Sequence, residues 1–492
     1  MSYFTPDADL LAASDKALKS VSTAHLIKAA KSFNITDPAT TEVIGSLPDH
    51  TPEQALEALT KADAAGKLWA KTSPRHRGDI LHAVYAKLIE HKETLAYIIC
   101  REMGKPFAEG LAEVQYSADY VRWFAEEALR AQGLYRDSPA GDATILVRRA
   151  PVGNAVLIAP WNFPMAMATR KIAPALAAGC ACVVKPAALT PLTTVVVADL
   201  MIQAGVPADL VQVITTTNSS GFSATLLADD RVRKISFTGS TPVGSKLMEL
   251  AAKNIVKSSM ELGGNAPLIV FDDADLDRAI EGAILAKMRN GGQTCVAANR
   301  MFVQEGIADA FIEGFTKAMA AHKLGHPMNK EVTLGPVVDD RAVARLQALV
   351  DDAVAKGATL RTGGKSPDQP GSYFEPTVLD NVPANADIAV TEIFGPVASI
   401  MRFKTQAEVI ERANDTEFGL AAFVFTENLD RAINVAEALE TGMVGINNGL
   451  LSNIAAPFGG VKASGTGREG GAEGLEEYQE IRYFTMKRRE TT

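Results

Sequence analysis

The stretch between residues 154 and 237 decides the fold, because it holds four short apolar runs that alternate with helical sequence. The runs are NAVLIA (154–159), CACVVK (180–185), LVQVIT (210–215) and RKISF (233–237). Short apolar runs bounded by turn residues are typical of buried strands. Strands that alternate with helices in this way predict an α/β fold with a doubly wound parallel sheet. Such a sheet binds ligands at the carboxyl ends of its strands.

Sequence on both sides of this stretch is also patterned. Helices are predicted to start at Thr51-Pro52-Glu53-Gln54 and at Ser73-Pro74, where a capping residue precedes a proline. A second alternation of strands and helices starts at APLIVF (266–271) and predicts a second α/β unit. The alternating string EYQEIRYFTM (477–486) predicts a late strand. We see no partner for it nearby in the sequence and expect it to pair with another subunit.

Composition excludes several classes of protein. The chain has 492 residues, of which 47% are hydrophobic and 22% charged, and its net charge is -9. This balance is typical of a globular protein and argues against disorder, nucleic-acid binding and binding to an anionic membrane. No apolar run is long enough to predict a membrane span. The four cysteines fit neither a disulfide framework nor a zinc site, so we expect a cytoplasmic protein without a metal.

Four segments next to predicted strands or helices carry candidate chemistry: PWNFP (160–164), FTGS (237–240), ELGG (261–264) and GGQTC (291–295). Cys295 follows two glycines, which permit unusual backbone angles and close approach of a ligand. Its thiolate would be a strong nucleophile. The alternative is a buried, inert cysteine. The seven histidines form no motif, so a Cys-His protease is disfavoured.

Three further residues have both a functional and a structural interpretation. Glu261 follows an apolar run and precedes two glycines, so it could act as a general base or form an ion pair at a strand end. Ser240 opens a helix directly after a strand, which suits either a pyrophosphate cradle or a tight turn with a serine cap. Lys185 ends a strand and could reach a ribose or phosphate, or simply be solvated.

Seven motifs in order give the chain a family resemblance. PWNFP, KPA (185–187), FTGS, MELGGN (260–265), GQTC (292–295), EIFGP (392–396) and PFGG (457–460) together resemble the NAD(P)-dependent aldehyde dehydrogenase superfamily over about residues 30–487. Within it, GMVGINNGLLSNIAAPFGGVKASGTGREGG (442–471) is similar to the C-terminal signature of succinate-semialdehyde dehydrogenases.

The resemblance implies an aldehyde dehydrogenase-like fold of three parts. A Rossmann-type cofactor domain would comprise residues 1–140 and 153–262. An α/β catalytic domain would comprise residues 263–466. A small β oligomerisation arm, residues 141–152 and 467–492, would join subunits into a homodimer or homotetramer.

The resemblance also implies the role of each site residue. Cys295 would be the nucleophile, Asn162 and the Cys295 backbone N–H would hold the oxyanion, and Glu261 would activate water. The cofactor site would use Pro160, Trp161, Asn162, Lys185, Pro186, Ala187, Ala188, Gly239, Ser240, Leu262, Glu392 and Phe394. The substrate site would use Arg170, Arg289, Ser452 and Phe458, because arginines suit a distal carboxylate.

The expected reaction is oxidation of succinate semialdehyde through a thiohemiacetal and a thioester on Cys295. Ala188 stands where NAD-preferring relatives often carry a glutamate, so we expect NADP to be preferred and NAD to be used at lower affinity. Ala297 stands where many relatives have a second cysteine, which disfavours a disulfide in this loop. The alternatives are glutarate semialdehyde or an aromatic aldehyde as substrate, a cysteine-dependent esterase or acyl hydrolase, and a non-catalytic descendant of an enzyme.

Overall fold

A computed structural model describes residues 3–487. The α-helices are α1 (Ala8–Lys19), α2 (Pro52–Trp69), α3 (Pro74–Glu90), α4 (Lys92–Met103), α5 (Phe107–Glu127), α6 (Ala166–Ala178), α7 (Leu192–Gln203), α8 (Ser219–Leu227), α9 (Thr241–Ala252), α10 (Leu276–Met288), α11 (Glu305–Ala320), α12 (Asp340–Ala355), α13 (Asp387–Val390), α14 (Gln406–Asn414), α15 (Leu429–Ala438) and α16 (Glu473–Glu476). A 3-10 helix covers Arg289–Gly292. The strands are β1 (Ser32–Thr36), β2 (Val43–Pro48), β3 (Leu134–Asp137), β4 (Ala143–Pro151), β5 (Asn154–Ile158), β6 (Cys182–Lys185), β7 (Val211–Val213), β8 (Val232–Thr238), β9 (Lys257–Glu261), β10 (Ala266–Val270), β11 (Ala298–Gln304), β12 (Thr359–Thr362), β13 (Thr377–Asp380), β14 (Val397–Phe403), β15 (Phe418–Gly419), β16 (Ala421–Phe425), β17 (Met443–Ile446), β18 (Val461–Lys462), β19 (Gly465–Thr466) and β20 (Gln479–Lys487).

The first sheet confirms the predicted doubly wound arrangement. Its strand order is β19-β9-β8-β5-β6-β7, and β5 to β9 run parallel while β19 pairs antiparallel on the edge. The four predicted runs form β5, β6, β7 and β8. The chain builds outward from β5 in one direction with β6 and β7, and in the other with β8 and β9. This reversal opens a crevice at the carboxyl ends of β5 and β8.

The second sheet is the predicted second α/β unit. Its order is β12-β13-β14-β11-β10-β16-β17, parallel except for the antiparallel edge strand β12. Successive residues of its central strand β10 point to opposite faces. Leu268 and Val270 pack with residues of α10 and α11, while Ile269 packs with residues of α12. The sheet is therefore covered by helices on both faces.

The late strand pairs with a strand of its own chain that is distant in the sequence. Strand β20 pairs antiparallel with β4 along its full length, from Gln479 opposite Pro151 to Lys487 opposite Ala143. Strand β3 pairs with the other edge of β4. More than 300 residues separate the two strands, so their pairing has no local sequence pattern, but both lie in the two segments that the family resemblance assigns to the β arm. The small sheet thus starts at Leu134, within the range expected for the cofactor domain.

The two predicted helix starts are confirmed. The Thr51 side chain accepts a hydrogen bond from the Gln54 backbone, and the Gln54 side chain accepts one from the Thr51 backbone, which completes a capping box. The Ser73 side chain accepts from the His76 N–H in the same way. Among residues 3–487, no helix is long and apolar enough to cross a membrane.

The core follows the same division as the sheets. One apolar cluster runs from Ala55 to Leu262 and also contains Leu475 and Tyr478, while two others draw on residues from Ala266 to Phe458. The proposed domain boundaries stay a prediction, and residues 1–2 and 488–492 of the proposed domains lie outside the described residues.

The first sheet points the carboxyl ends of its strands at the region between the sheets, and the second sheet points the amino ends of its strands there. Strands β5, β8 and β9 point their carboxyl ends at it. Four residues, 262–265, connect β9 to β10, so the second sheet begins at the same place with the amino end of β10. Cys295 lies just before β11 and Glu392 just before β14, so they also reach this region from the amino ends of strands. The carboxyl-end rule thus locates only half of the site.

Candidate active site

A cleft of about 690 Å³ lies where the two sheets meet. Segments after β5 and β8 form one wall, and segments before β11, β14 and β16 form another. The predicted site residues that line it are Pro160, Trp161, Asn162, Arg170, Gly239, Ser240, Leu262, Arg289, Cys295, Glu392, Phe394, Ser452 and Phe458. The predicted residues that lie outside its lining are Glu261, Lys185, Pro186, Ala187 and Ala188. The fold thus brings most of the predicted residues to one place.

A tight backbone turn brings Cys295 to the cleft. Asn290, Gly291 and Gly292 follow one another in left-handed conformation, with φ of 55°, 61° and 75°. A Cβ at Gly292 would lie 2.2 Å from the Gly395 carbonyl oxygen, so only glycine fits there. The two glycines before the cysteine therefore serve the turn, as the sequence predicts.

The Cys295 thiol is half-buried in the cleft wall. Burial raises its pKa to about 12; the Arg170 guanidinium opposes this shift, and the carboxylates of Glu392 and Glu261 add to it. The thiol is therefore protonated at neutral pH in this structure. It must lose that proton before it can attack a carbonyl carbon.

Asn162 is held firmly beside the Cys295 loop. Its side-chain Nδ2 donates to the Gln293 carbonyl oxygen at 3.0 Å. One amide hydrogen is used in this bond, which leaves the second available to a ligand in the cleft. An N–H so placed can stabilise an oxyanion that forms next to the thiol.

Glu261 ends β9 and is buried behind the cleft. Burial raises the pKa of its carboxyl well above the usual range and the nearby Glu469 adds to the shift, while Arg170, Lys171 and Arg468 oppose it. Its Oε2 has no hydrogen-bond partner among the described residues. The ionised form of such a carboxyl is a stronger base than an ordinary carboxylate, and its free oxygen can take a proton from water.

A buried ion cluster next to Glu261 was missed by the sequence interpretation. The Glu469 carboxylate binds both Arg170 and Lys171, which are consecutive on α6. The Lys171 Nζ also donates to the Ser236 hydroxyl at 3.0 Å. All three charged side chains are almost fully buried. Two adjacent cations in the apolar helix sequence AMATRKIAPALAA were the signal that a buried carboxylate must face them.

Arg289 and Ser452 form a pair in the cleft wall. The Arg289 Nη1 donates to the Ser452 Oγ at 2.7 Å. The guanidinium lies over the Phe163 ring at 5.0 Å and the Tyr116 ring at 5.5 Å. The buried Glu109 carboxylate lies close enough to feel its charge: burial raises the pKa of Glu109, and Arg289 is among the groups that oppose the shift. The remaining N–H groups of the Arg289 guanidinium can donate to a ligand.

Arg170 contributes differently although it lines the same cleft. Its charge is matched by Glu469, and its guanidinium stacks over the Phe458 ring at 4.3 Å. Its Nη2 has no partner among the described residues. Arg170 can therefore donate one further hydrogen bond, but it offers a ligand little net charge.

Two aromatic side chains and one acidic side chain also line the cleft. The Trp161 and Phe394 rings meet edge to face at 5.3 Å. The Glu392 Oε1 accepts from the Gly264 N–H at 3.1 Å, and burial raises the pKa of this carboxyl to about 7. The Arg345 Nη1 fixes the segment by donating to the Glu392 carbonyl oxygen at 3.0 Å. This wall can hold a flat ring and ribose hydroxyls.

The remaining cofactor candidates lie at the start of α9 and in the segment that follows β6. Ser240 precedes α9, and no side chain caps the N-terminus of this helix, so its first N–H groups are available to a phosphate. Lys185 is buried at the end of β6, where its Nζ donates to the Pro186 carbonyl oxygen at 3.2 Å and burial lowers its pKa to about 8. Ala188 is half-buried and carries no charge. These residues fit a dinucleotide cofactor.

Known proteins share both the sequence and the fold. Residues 26–484 match the aldehyde dehydrogenase family. A succinate-semialdehyde dehydrogenase of Paenarthrobacter nicotinovorans is 50% identical over 90% of this chain and 98% of that protein. A glutarate-semialdehyde dehydrogenase of Pseudomonas putida is 48% identical over 93% and 94%. The crystal structure of an NADP-dependent enzyme of E. coli superimposes with a TM-score of 0.93 at 46% identity, covering 94% of this chain and 96% of that one. The chain therefore belongs to the aldehyde dehydrogenase family and is an NAD(P)-dependent oxidoreductase that acts on an aldehyde group.

Proposed function

We propose that this enzyme oxidises succinate semialdehyde to succinate with reduction of NADP. The observation that carries the substrate assignment is the Arg289–Ser452 pair, which lines the same cleft as the Cys295 thiol. Arginine binds a carboxylate through two parallel charge-assisted hydrogen bonds, and the Ser452 hydroxyl can add a third. A short aldehyde with a carboxylate at its far end can place that carboxylate on Arg289 and Ser452 and its carbonyl carbon at Cys295.

The chain's own residues then divide the chemistry into two steps. The Cys295 thiol gives its proton to water in the cleft, the thiolate attacks the aldehyde carbon, and the oxyanion that forms is held by the Asn162 Nδ2 and the Cys295 backbone N–H. When bound, the dinucleotide supplies the hydride acceptor, and a thioester on Cys295 remains. Glu261 takes a proton from water, the resulting hydroxide attacks the thioester carbonyl, and the Cys295 sulfur leaves as the acid is released.

The test compares a charged and a neutral aldehyde of equal length. Arg289→Ala should raise the KM for succinate semialdehyde about 10- to 100-fold, because it removes charge-assisted hydrogen bonds. The KM for butanal should change less than about threefold, since butanal has no distal charge. The exposed Arg75→Ala serves as the control. Equal effects on both substrates would contradict the assignment.

Glutarate semialdehyde is the second candidate, because the Pseudomonas putida relative with that name is 48% identical. The two substrates differ by one methylene, so the ratio of their kcat/KM values decides between them. A higher value for the five-carbon aldehyde would replace the first proposal. Measured turnover of aromatic aldehydes tests the aromatic-aldehyde alternative. Measured hydrolysis of esters without coenzyme tests the esterase alternative.

The preference for NADP is proposed from Ala188 and Lys185. A carboxylate at position 188 would repel a 2′-phosphate, whereas alanine does not, and the E. coli neighbour is described as NADP-dependent. The ratio of kcat/KM for NADP and NAD measures the preference. Ala188→Glu should shift that ratio toward NAD. A strong NAD preference in the unaltered enzyme would refute the proposal.

We also propose that the enzyme assembles as a homodimer or homotetramer through the sheet β20-β4-β3. The outer strand β20 exposes apolar side chains, with Ile481 63% and Tyr483 62% exposed. Such a strand edge is normally covered by a partner. A cytoplasmic location is proposed because all four cysteines are free thiols, which suits a reducing compartment.

A further inference from the structure

We propose that Asn290 is a positioning residue that fixes the oxyanion-binding amide of Asn162 against the Cys295 loop. The proposal rests on the oxyanion role proposed for Asn162. Asn290 itself does not line the cleft, so it has no direct contact with substrate. Its action would pass entirely through the hydrogen bonds described below.

The Asn290 side chain bridges the segment that contains Asn162 and the loop that ends at Cys295. Its Nδ2 donates to the Asn162 carbonyl oxygen at 3.0 Å and to the Gln293 carbonyl oxygen at 3.1 Å. The Gln293 oxygen is the same atom that accepts from the Asn162 Nδ2. One buried amide nitrogen thus ties the backbone of the oxyanion residue to the loop that ends at Cys295.

Asn290 is itself held from two directions. Its backbone N–H donates to the Glu109 carboxylate, at 3.0 Å to Oε2 and 3.2 Å to Oε1. Its carbonyl oxygen accepts from the Gln293 Nε2 at 3.2 Å. Its left-handed φ of 55° is one that asparagine tolerates better than most residues. The position therefore needs both the backbone freedom and the amide of asparagine.

A buried ion pair supports the Asn162 carbonyl from the other side. The Lys105 Nζ donates to that oxygen at 3.0 Å and pairs with the Glu113 Oε2 at 2.5 Å. The Glu113 Oε1 accepts from the Met165 N–H at 2.9 Å, at the start of α6. The carbonyl thus has two donors, and loss of the one from Asn290 would let the Asn162 segment turn away from the Cys295 loop while Lys105 still anchors it.

The test uses Asn290→Gly, because glycine adopts the left-handed backbone freely and removes only the bridging amide. We expect kcat for aldehyde oxidation to fall about 10- to 100-fold, the loss that a small misplacement of a catalytic group causes. The KM for the aldehyde should stay within about threefold. The rate of Cys295 alkylation by iodoacetamide should not change, since alkylation forms no oxyanion.

A double-mutant cycle separates this proposal from the one on which it rests. In an Asn162→Ala background, Asn290→Gly should lower kcat by less than about threefold, because its effect passes through the missing amide. An equal loss in both backgrounds, or no loss in the enzyme with Asn162, would overturn the positioning role. If Asn162→Ala alone leaves kcat unchanged, the oxyanion role of Asn162 is what fails.

Discussion

Cys295 is the residue whose protonation controls the first chemical step. Burial is the largest cause that raises the pKa of its thiol to about 12. The thiolate fraction is therefore small at neutral pH and grows with pH. Groups that stabilise the Cys295 thiolate would raise its population and hence the reactivity of Cys295 toward an aldehyde.

The pH dependence of alkylation checks this state directly. In the cofactor-free enzyme, the rate of Cys295 modification by iodoacetamide should rise about tenfold per pH unit between roughly pH 7 and 10. Cys295→Ala is the control, since Cys100, Cys180 and Cys182 are fully buried. A rate that levels off below about pH 8 would show that the thiolate already exists and would contradict the raised pKa.

At the residue scale, sequence motifs located the site but not the division of charge within it. Arg170 and Arg289 were both expected to bind the distal carboxylate. The structure pairs Arg170 with Glu469, whereas Arg289 donates to the Ser452 hydroxyl. Glu469 lies 299 residues after Arg170. No local pattern could reveal such a pairing, because it depends on how the chain returns to α6.

At the scale of elements, α6 is fastened to the segment that carries Glu469. This carboxylate matches two cations of the helix, Arg170 and Lys171. Burial alone would raise the pKa of Glu469, but the two cations outweigh it and lower the pKa. The ion cluster thus holds one wall of the cleft in place beside Glu261.

Glu469→Gln should lower the thermal midpoint by at least about 5 °C at pH 7, because it leaves two buried cations without a countercharge. A lowered carboxyl pKa stabilises the fold above the ordinary value near 4.3 and loses that contribution as pH falls through the folded-state value. The difference from the unaltered enzyme should therefore shrink below about pH 4. Calorimetry checks this against Glu249→Gln, which alters an exposed ion pair. Equal effects of the two substitutions would contradict the role of the cluster.

The strands of the first sheet were predictable because each is a short apolar run between turn residues. The exceptions have a physical cause. Strand β20 has no partner nearby in the sequence, and β4, which pairs with it over nine residues, lies more than 300 residues earlier in the chain. Strand β19 has only two residues, too few to give any periodic pattern. Pairings between distant segments depend on tertiary packing, and local sequence patterns therefore do not predict them.

At the scale of the whole molecule, the exposed β20 edge is the surface on which assembly is proposed. Replacing both Ile481 and Tyr483 by lysine should convert the assembly into a monomer of 52.2 kDa, because charged side chains block strand pairing and apolar contact. Multi-angle light scattering measures the mass. Leu68→Lys, at an exposed leucine on α2, is the control. A monomeric unaltered enzyme would remove the proposal.

In the proposed reaction, Cys295 carries the four-carbon acyl group as a thioester during each turnover. Glu261→Gln should slow the release of this group by about 100-fold or more, since it removes the base that activates water. Mass spectrometry of this variant, after incubation with NADP and succinate semialdehyde, should find one succinyl group on the peptide that contains Cys295. Full reduction of the coenzyme with that peptide unmodified, or an acyl group on another residue, would contradict it.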